Sequence, residues 1–346
     1  MFGDCRPGSD NAPYLTSDLV GLGGHLTGEP SDFIVDEIPA YDASGQGDHV
    51  YINVRKVGLT TPELVKAFAN SSGCAPSDIG VAGRKDKWAV TSQWLSLPVE
   101  PVEPDDDRIR LIETKRHNHK LRRGHLRGNR FRIKMSGLTE TSDECIQALL
   151  SRLDRGVPNY YGHQRFGIYG DGPDYSLSQM RRRSRRKTRD LRFSASVVQG
   201  ALFNIWLGRR VNDGLFHTAL SGDVYKKVET GGLFSSETPQ IEQLRLDKLD
   251  IDPTGPIYGP KMRAALAEAG QREIAVRDEI GLTEKDWATL GRLGKGSRRL
   301  ARVRPQNLKV EVDGRDLFIS FELPSGSYAT VILAELTHTA DDLKAK

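Results

Sequence analysis

The stretch Val81–Leu97 reads VAGRKDKWAVTSQWLSL. One carboxylate, Asp86, lies here among three basic residues and ahead of an apolar segment. The basic residues are Arg84, Lys85 and Lys87. Two interpretations are open: Asp86 forms surface ion pairs, which stabilise little, or its neighbours favour the charged form of a carboxylate that takes part in chemistry. We predict that the segment from Val90 is the strand that anchors this loop.

Basic residues are concentrated in two further runs. Lys115–Lys134, KRHNHKLRRGHLRGNRFRIK, holds nine Lys/Arg and no acid, and Arg181–Arg192, RRRSRRKTRDLR, holds eight Lys/Arg and one Asp. The whole chain has a net charge of only +4, so its remainder is acidic on balance. Clustered Lys/Arg bind phosphates with release of counterions. A single run is typical of a solvated face or a basic linker, but two runs favour a nucleic-acid partner.

The segment NRFRIKM, residues 129–135, alternates basic with apolar residues. A period of two predicts a strand with one apolar and one cationic face. Such a face can follow a phosphate backbone, or it can belong to an edge strand whose charges oppose aggregation.

Length and composition limit the class of protein. A chain of 346 residues with 37% hydrophobic residues suits two domains. Its apolar runs are shorter than the roughly 18 residues that span a bilayer, and we expect no secretory signal in MFGDCRPGSD. The three cysteines are far apart and form no CxxC pair. We therefore predict a cytoplasmic protein in a reducing compartment, with neither a membrane segment nor a metal site.

Strand and helix patterns occur on both sides of a different middle segment. DFIVDEI and HVYINVRKV alternate like strands, GLTTPELVKAFANSSG predicts a helix capped by Thr60 or Thr61, and LKVEVDGRDLFISFEL predicts a hairpin that turns at Asp313-Gly314. The middle contains helical stretches joined by Gly/Pro-rich segments. We predict an α+β protein with a discontinuous domain, residues 1–184 plus 303–346, interrupted by an inserted domain, residues 185–302.

Five motifs together resemble the TruD-type tRNA pseudouridine synthases. AGRKDKWAVTSQWLS is similar to AG-x-KDK-x-AVT-x-QW, and GVPNYYGHQRFG is similar to G-x-PNYFG-x-QRFG. The other three are EPSDFIVDEIPAYDASGQGDHVYINVRKVGLTT (P-x-DF-x-V-x-E, G-x-H, K-x-G-x-x-T), HKLRRGHLRGNRF (K-L-x-x-G-x-L-x-GN-x-F) and FELPSGSYATVILAEL (F-x-LP-x-GS-(Y/F)-AT). TGPIYGPKM and GSRRL also resemble segments of that family's insertion domain. The matches follow the family's order along nearly the whole chain.

The resemblance implies a fold and an activity. The fold is the pseudouridine synthase catalytic domain, with a mixed, mainly antiparallel sheet, interrupted by a helix-rich TRUD domain. The activity is isomerisation of a uridine in tRNA, most often uridine 13, without cofactor, metal or ATP. The family's essential aspartate corresponds to Asp86. We expect a monomer that binds tRNA; the alternative is a non-catalytic RNA-binding protein of the same fold.

The resemblance also implies substrate contacts. Asn159 and Tyr161 correspond to the family's NYFG segment, which lines the uracil pocket, with Tyr161 in place of the usual Phe. A tyrosine stacks on a base equally well. Phe33 and Lys85 are further candidates for binding the substrate. The family commonly has a Lys six positions before that Phe, where this chain has Thr27, so the base that contacts Asp86 stays open.

The two basic runs supply candidates for contacts with RNA phosphates. Extracting a base from its stack costs a few kcal/mol, which stacking and phosphate contacts offset. We predict phosphate contacts from residues of both runs: Lys120, Arg127, Arg130, Arg182, Arg185 and Arg186.

Overall fold

The apolar segment that follows Asp86 forms strand β5, Val90–Leu97, all of whose residues are buried. This confirms the strand predicted from Val90. The structure, a computed structural model, describes residues 1–166, 172–182 and 188–339. These residues divide into two units: residues 23–141 with 305–326, and residues 1–22, 142–304 and 327–339. We call the first the sheet unit and the second the helical unit. The predicted domain boundaries at residues 185 and 302 stay a prediction.

The sheet unit is built on one large sheet around β5. Its strands run in the order β14-β15-β7-β2-β5-β3-β6, with β1 on β7 and β4 on β5. Only β2 and β5 pair in parallel; the other described pairs of this sheet are antiparallel. The strands are β1 Gly23–His25, β2 Phe33–Pro39, β3 His49–Val57, β4 Gly80–Val81, β5, β6 Ile109–His117, β7 Leu126–Leu138, β14 Gln306–Asp313 and β15 Asp316–Pro324.

Local sequence signals explain two connections of this sheet. Helix α1, Thr61–Ser72, follows β3 and begins with a capping box, in which Thr60 Oγ1 accepts a hydrogen bond from Glu63 N and the Glu63 carboxylate accepts from Thr60 N. The hairpin β14–β15 turns at Asp313-Gly314, where Gly314 adopts a φ of 61°. Both predictions are confirmed. A 3₁₀ turn, Pro30–Asp32, precedes β2.

The helical unit surrounds a long buried helix, α4. Its helices are α2 Asp143–Asp154, α3 Gly172–Arg181, α4 Thr188–Asn212, α5 Pro239–Asp247, α6 Ala267–Glu279, α7 Glu284–Leu293 and α8 Ala329–Thr337, with a 3₁₀ turn at His163–Arg165. Its short strands are β8 Val157–Pro158, β9 Val224–Lys227, β10 Leu233–Ser235, β11 Ile251–Ile257, β12 Ser297–Leu300 and β13 Arg302–Val303. Helices and a mainly antiparallel sheet confirm the predicted α+β class.

The four-stranded sheet β10-β9-β11-β12 was not predicted. Its central strand β11 reads IDPTGPI, and two prolines and a glycine normally argue against an inner strand. The glycine has a packing reason, because a Cβ on Gly255 would lie 2.2 Å from the Trp206 ring of α4. A second close approach joins the motifs TGPIYGPKM and GSRRL. A Cβ on Gly259 in the first motif would lie 2.4 Å from the main-chain nitrogen of Gly296 in the second.

The first residues of the chain are held to the helical unit by one buried carboxylate. Glu335 on α8 accepts hydrogen bonds from Leu15 N at 3.1 Å, Thr16 N at 3.1 Å and Thr16 Oγ1 at 2.9 Å. Burial raises the pKa of Glu335 to about 7, against the lowering effect of these donors. In the helices that the structure describes, we find none with the length and apolar character of a membrane span.

Candidate active site

The loop between β4 and β5, residues 82–89, presents Asp86 to solvent. The Asp86 side chain is exposed, whereas its neighbour Lys85 is buried. Among the described residues, none donates a hydrogen bond to the Asp86 carboxylate or forms an ion pair with it. The carboxylate therefore keeps its lone pairs available for a ligand.

Lys56 holds the main chain of Asp86 through a hydrogen bond. This residue lies on β3 and is fully buried. Its ammonium donates to the main-chain oxygen of Leu59 at 2.5 Å and to that of Asp86 at 2.8 Å. Burial lowers the pKa of Lys56 to about 8, although the negative charge of Asp86 acts in the opposite direction. Lys56 is therefore the base that contacts Asp86, and it acts on the backbone.

Lys85 points away from solvent and is neutralised inside the sheet unit. Its ammonium lies 2.9 Å from Glu37 Oε2 on β2 and donates to Asn129 Oδ1 on β7 at 2.5 Å. The side chains of Lys85 and Glu37 are only 4% and 1% exposed. The buried pair holds the Lys85 side chain in place against β2. Removal of either partner would leave the other charge buried and unpaired, which is strongly destabilising. Substrate binding by Lys85 stays a prediction.

A second polar contact holds the residue before Asp86. Lys85 N donates to Thr61 Oγ1 at 3.0 Å, and Thr61 Oγ1 donates to Gln93 Oε1 at 3.0 Å. Thr61 begins α1 and Gln93 lies on β5, and both are buried. The Asp86 loop is thus tied to a helix, to β3 and to its own following strand.

The remaining residues of the loop face solvent in part or fully. Arg84 is exposed, Lys87 is half-buried, and Trp88 is 56% exposed. The Lys87 ammonium lies 5.3 Å from the centroid of the Trp88 ring. Thr27, at the family's usual lysine position, donates to the Asp32 carboxylate at 2.7 Å.

Phe33 is half-buried on β2. Its ring meets that of Phe131 edge-on, with the centroids 6.4 Å apart. The contact supports the ring within the sheet unit and leaves part of it accessible.

Asn159 lies in the helical unit and is held by several hydrogen bonds. Asn159 is buried, its Nδ2 donates to the main-chain oxygen of Leu300 at 3.0 Å, and its Oδ1 accepts from Ser327 Oγ at 3.2 Å. The Arg299 guanidinium donates twice to Asn159, through Nη2 to Oδ1 at 2.9 Å and through Nε to the main-chain oxygen at 3.0 Å. Three of these contacts fix the orientation of the side-chain amide, and the fourth holds the main chain of Asn159.

Tyr161 is oriented through its main chain and its ring. Asn204 on α4 accepts from Tyr161 N at 2.8 Å and donates to Tyr161 O at 3.0 Å. The guanidinium of Arg299 lies 4.1 Å from the centroid of the Tyr161 ring, and that of Arg165 lies 5.2 Å from it. Burial lowers the pKa of Arg299, but an arginine stays charged in a protein, so the ring is held by a cation–π contact.

The cationic face predicted for β7 exists, but carboxylates of neighbouring strands accompany it. Arg130 pairs with Glu322 at 2.8 Å, Arg132 with Asp36 at 2.9 Å, and Lys134 with Asp316 at 2.8 Å. β7 is also an inner strand, between β15 and β2, so an edge-strand explanation of its charges does not apply.

The other predicted phosphate contacts have different surroundings. The Lys120 ammonium donates to the main-chain oxygen of Ser77 at 2.5 Å. The side chains of Arg127 and Arg182 are exposed. Arg185 and Arg186 lie outside the described residues. Phosphate contact by any of these residues stays a prediction.

Sequence reasoning gave Lys56 and Arg299 no role at the site, and it considered Thr61 only as a possible helix cap. All three lie in motifs that resemble the family, K-x-G-x-x-T for the first two and GSRRL for the third. Their spacing along the chain gave no sign that they contact Asp86, Lys85 and Asn159. Within the described ranges, no group of three His, Cys, Asp or Glu residues could hold a metal ion.

Comparisons with known proteins find relatives of this chain over almost its full length. The sequence profile of tRNA pseudouridine synthase D (TruD) matches residues 10–170 and 189–336. A tRNA pseudouridine synthase D of Anaeromyxobacter sp. (strain Fw109-5) is 41% identical over 344 residues, covering 96% of this chain and 98% of the relative. That of Thermus thermophilus is 39% identical over 347 residues, covering 96% and 95%.

The fold also matches a solved structure. A crystal structure of a protein assigned to TruD in Methanosarcina mazei superimposes with a TM-score of 0.73 at 22% identity, covering 95% of this chain and 97% of that one. The predicted pseudouridine synthase fold is therefore confirmed. The profile match and the identities over almost the full length show that the chain belongs to the tRNA pseudouridine synthase D (TruD) family of isomerases.

Proposed function

We propose that this protein converts uridine 13 of tRNA to pseudouridine and that Asp86 is its essential carboxylate. The observation that carries the proposal is the contrast within one loop: the main chain of Asp86 is held by a buried amine, while its carboxylate faces solvent. A catalytic group must be positioned rigidly and yet reach its substrate. The names of the relatives supply the substrate class.

The reaction needs no group beyond the substrate and the protein. The N1–C1′ bond of the uridine breaks, a C5–C1′ bond forms, C5 loses a proton and N1 gains one, so atoms and electrons balance. Asp86 acts in its ionised form, either by attacking C1′ or by assisting removal of a proton. Both routes require the free carboxylate that the loop presents.

We further propose that Tyr161 stacks on the uracil and that Asn159 binds its edge. The Tyr161 ring is oriented by Arg299 and by the main-chain contacts of Asn204. A ring oriented before binding loses little entropy when a base stacks on it. Phe33 and Lys85 complete the proposed substrate-binding residues, Lys85 by positioning the loop through Glu37 and Asn129.

RNA binding is proposed to use the two basic runs. Their candidate phosphate contacts are Lys120, Arg127, Arg130, Arg182, Arg185 and Arg186. Stacking and phosphate contacts together offset the few kcal/mol needed to extract the uridine from its stack.

We also propose that residues 185–302 form an inserted domain that takes part in selecting the RNA. The four strands β9 to β12 all fall within this range and pair with one another, which supports a folded unit there. The monomeric state and the cytoplasmic location stay predictions.

The decisive experiment separates this function from that of a non-catalytic RNA-binding protein of the same fold. tRNA that carries tritium at C5 of its uracils is incubated with protein and no cofactor. The wild type should release tritium, and Asp86→Asn should release none while it still binds tRNA. Asp107→Asn, which changes an exposed aspartate of the same unit, should behave as the wild type. No tritium release by the wild type from any tRNA would exclude the synthase.

A further inference from the structure

Trp88 is a large apolar side chain that the fold does not bury. It is 56% exposed, whereas Trp94 and Trp206 are 9% and 4% exposed. It lies two residues after Asp86 in the same loop and is exposed as Asp86 is, while Lys85 and Ala89 are buried. Burial of an indole is among the larger hydrophobic contributions that a residue can make. Phe193 and Tyr175 are exposed to a similar degree, so what distinguishes Trp88 is its place beside Asp86.

A cation accompanies the exposed ring. The Lys87 ammonium lies 5.3 Å from the Trp88 ring centroid, within the range of a cation–π contact. An exposed aromatic ring beside a lysine offers a nucleic acid two contacts at once, a flat face for a base and a positive charge for its phosphate. The loop thus combines a carboxylate, a ring and a cation within three consecutive residues.

Distances along the chain decide which part of an RNA this ring can reach. Two residues span at most about 7 Å, so the Cα atoms of Asp86 and Trp88 are no farther apart than that. A reacting C1′ lies about 3–3.5 Å from the Asp86 carboxylate, and the next nucleotide stays joined to the uridine by one phosphodiester after the uridine leaves its stack. Trp88 is therefore within reach of the nucleotide next to the uridine that Asp86 attacks.

Extraction of the uridine from its stack would expose a neighbouring base on which the Trp88 ring can stack. When the uridine leaves its stack, the neighbouring base loses the face that the uridine covered. We propose that the indole of Trp88 stacks on that exposed neighbouring base and so stabilises the extracted state. The inference rests on the proposed function, because it requires a uridine at Asp86. It concerns this chain in particular, since residue 88 is an unspecified position in the motif AG-x-KDK-x-AVT.

The first test measures tRNA binding in an Asp86→Asn background, which prevents turnover. A base–aromatic stack corresponds to roughly 5- to 150-fold in affinity. Trp88→Ala should weaken binding by a factor in this range, and Trp88→Phe should recover most of it. Tyr175→Ala is the matched control, because Tyr175 is an aromatic side chain that is 55% exposed and lies outside both basic runs. It should bind as the parent does.

The second test uses tRNA with an abasic site immediately 5′ or 3′ of the target uridine. If Trp88 stacks on one of these bases, removal of that base and Trp88→Ala should cause overlapping losses, and one of the two abasic tRNAs should show no further effect of Trp88→Ala. Intrinsic fluorescence gives an independent readout, since intact tRNA should quench a component that is absent from Trp88→Phe.

Three results would overturn the inference: unchanged affinity of Trp88→Ala, an equal loss in Tyr175→Ala, or additive losses with both abasic tRNAs. In each case wild-type tritium release would show that the proposed function stands without it. Absence of wild-type release would instead contradict the proposed function itself.

Discussion

The ammonium of Lys56 lies 2.8 Å from the main-chain oxygen of Asp86 and 2.5 Å from that of Leu59. One buried cation therefore joins the end of β3 to the loop that presents the proposed catalytic carboxylate. Because the contact is made to the backbone, it fixes where the carboxylate is without occupying it. The neighbouring residue Lys85 contributes in the same way, through its main-chain contact with Thr61 and its buried pair with Glu37.

Lys56→Met should reduce kcat by roughly 10- to 100-fold, because a misplacement of about 1 Å near the reacting atoms has an effect of this size. Methionine keeps an unbranched apolar side chain in the buried space but leaves two carbonyl oxygens without their donor. The KM for tRNA should change little, because Lys56 is buried and does not meet RNA. Steady-state tritium release measures both constants.

Two measurements control this prediction. Lys66→Met, at an exposed position of α1, should leave kcat unchanged. Measurements of unfolding at several pH values should also detect the titration of Lys56. Its pKa in the folded protein, about 8, lies below the ordinary 10.5, so the unfolded chain binds the proton more tightly. The free energy of unfolding of the wild type, relative to Lys56→Met, should therefore rise between about pH 8 and pH 10. A change in KM alone would contradict the positioning role.

Arg299→Lys should lower kcat/KM by about tenfold or more. A lysine cannot donate to Asn159 Oδ1 and to its main-chain oxygen in the geometry of a guanidinium, and it lacks the flat surface that lies over Tyr161. Tritium release measures the effect, and Arg292→Lys, at an exposed position of α7, serves as the matched substitution. Equal activity of the two variants would show that Asn159 and Tyr161 are held without Arg299.

Glu335 should make part of the stability depend on pH. Its folded pKa of about 7 lies above the ordinary value of 4.5, so the folded protein binds the proton more tightly. Its contribution to the free energy of unfolding is therefore fully present below about pH 4.5 and is lost as the pH rises to about 7, by up to about 3 kcal/mol.

Denaturant titrations at pH 5 and pH 8 measure this contribution as the difference between the wild type and Glu335→Gln. The free energy of unfolding of the wild type, relative to that of Glu335→Gln, should be lower at pH 8 than at pH 5. Glu229→Gln, an exposed site in the same unit, should show no such shift. A difference that is constant with pH would mean that Glu335 does not change its protonation in this range.

Salt dependence of tRNA binding should distinguish Arg127 from Arg130. Arg127 is exposed, whereas Arg130 already donates to the Glu322 carboxylate at 2.8 Å and 2.9 Å. If Arg127 contacts a phosphate, Arg127→Gln should reduce the slope of log K against log salt by about one. Arg130→Gln should reduce it by less, because the lost charge was partly balanced. Equal slopes for both variants and the wild type would remove these two residues from the interface.

The elements of the sheet unit could be predicted from the sequence because their signals are local. Alternation identified β2, β3, β7 and the hairpin, and an apolar segment after the loop identified β5. A threonine with a glutamate three residues later identified the start of α1. Strand β11 could not be predicted in this way, since its prolines and glycine have no strand signal. Its place depends on how closely it packs against Trp206.

Family motifs made Asp86, Asn159 and Tyr161 the candidate site residues from the sequence alone, because the spacing within each motif is short and specific. Which base serves Asp86 depended on the tertiary structure. The sequence offered three neighbouring bases, Arg84, Lys85 and Lys87, and had Thr27 where the family commonly has a lysine. The contact comes instead from Lys56, thirty residues earlier than Asp86. Pairing of β3 with β5 brings these distant residues together, and burial then decides their roles. The sequence thus determined which chemical groups are present, and the packing of the sheet decided which cation holds the main chain of Asp86.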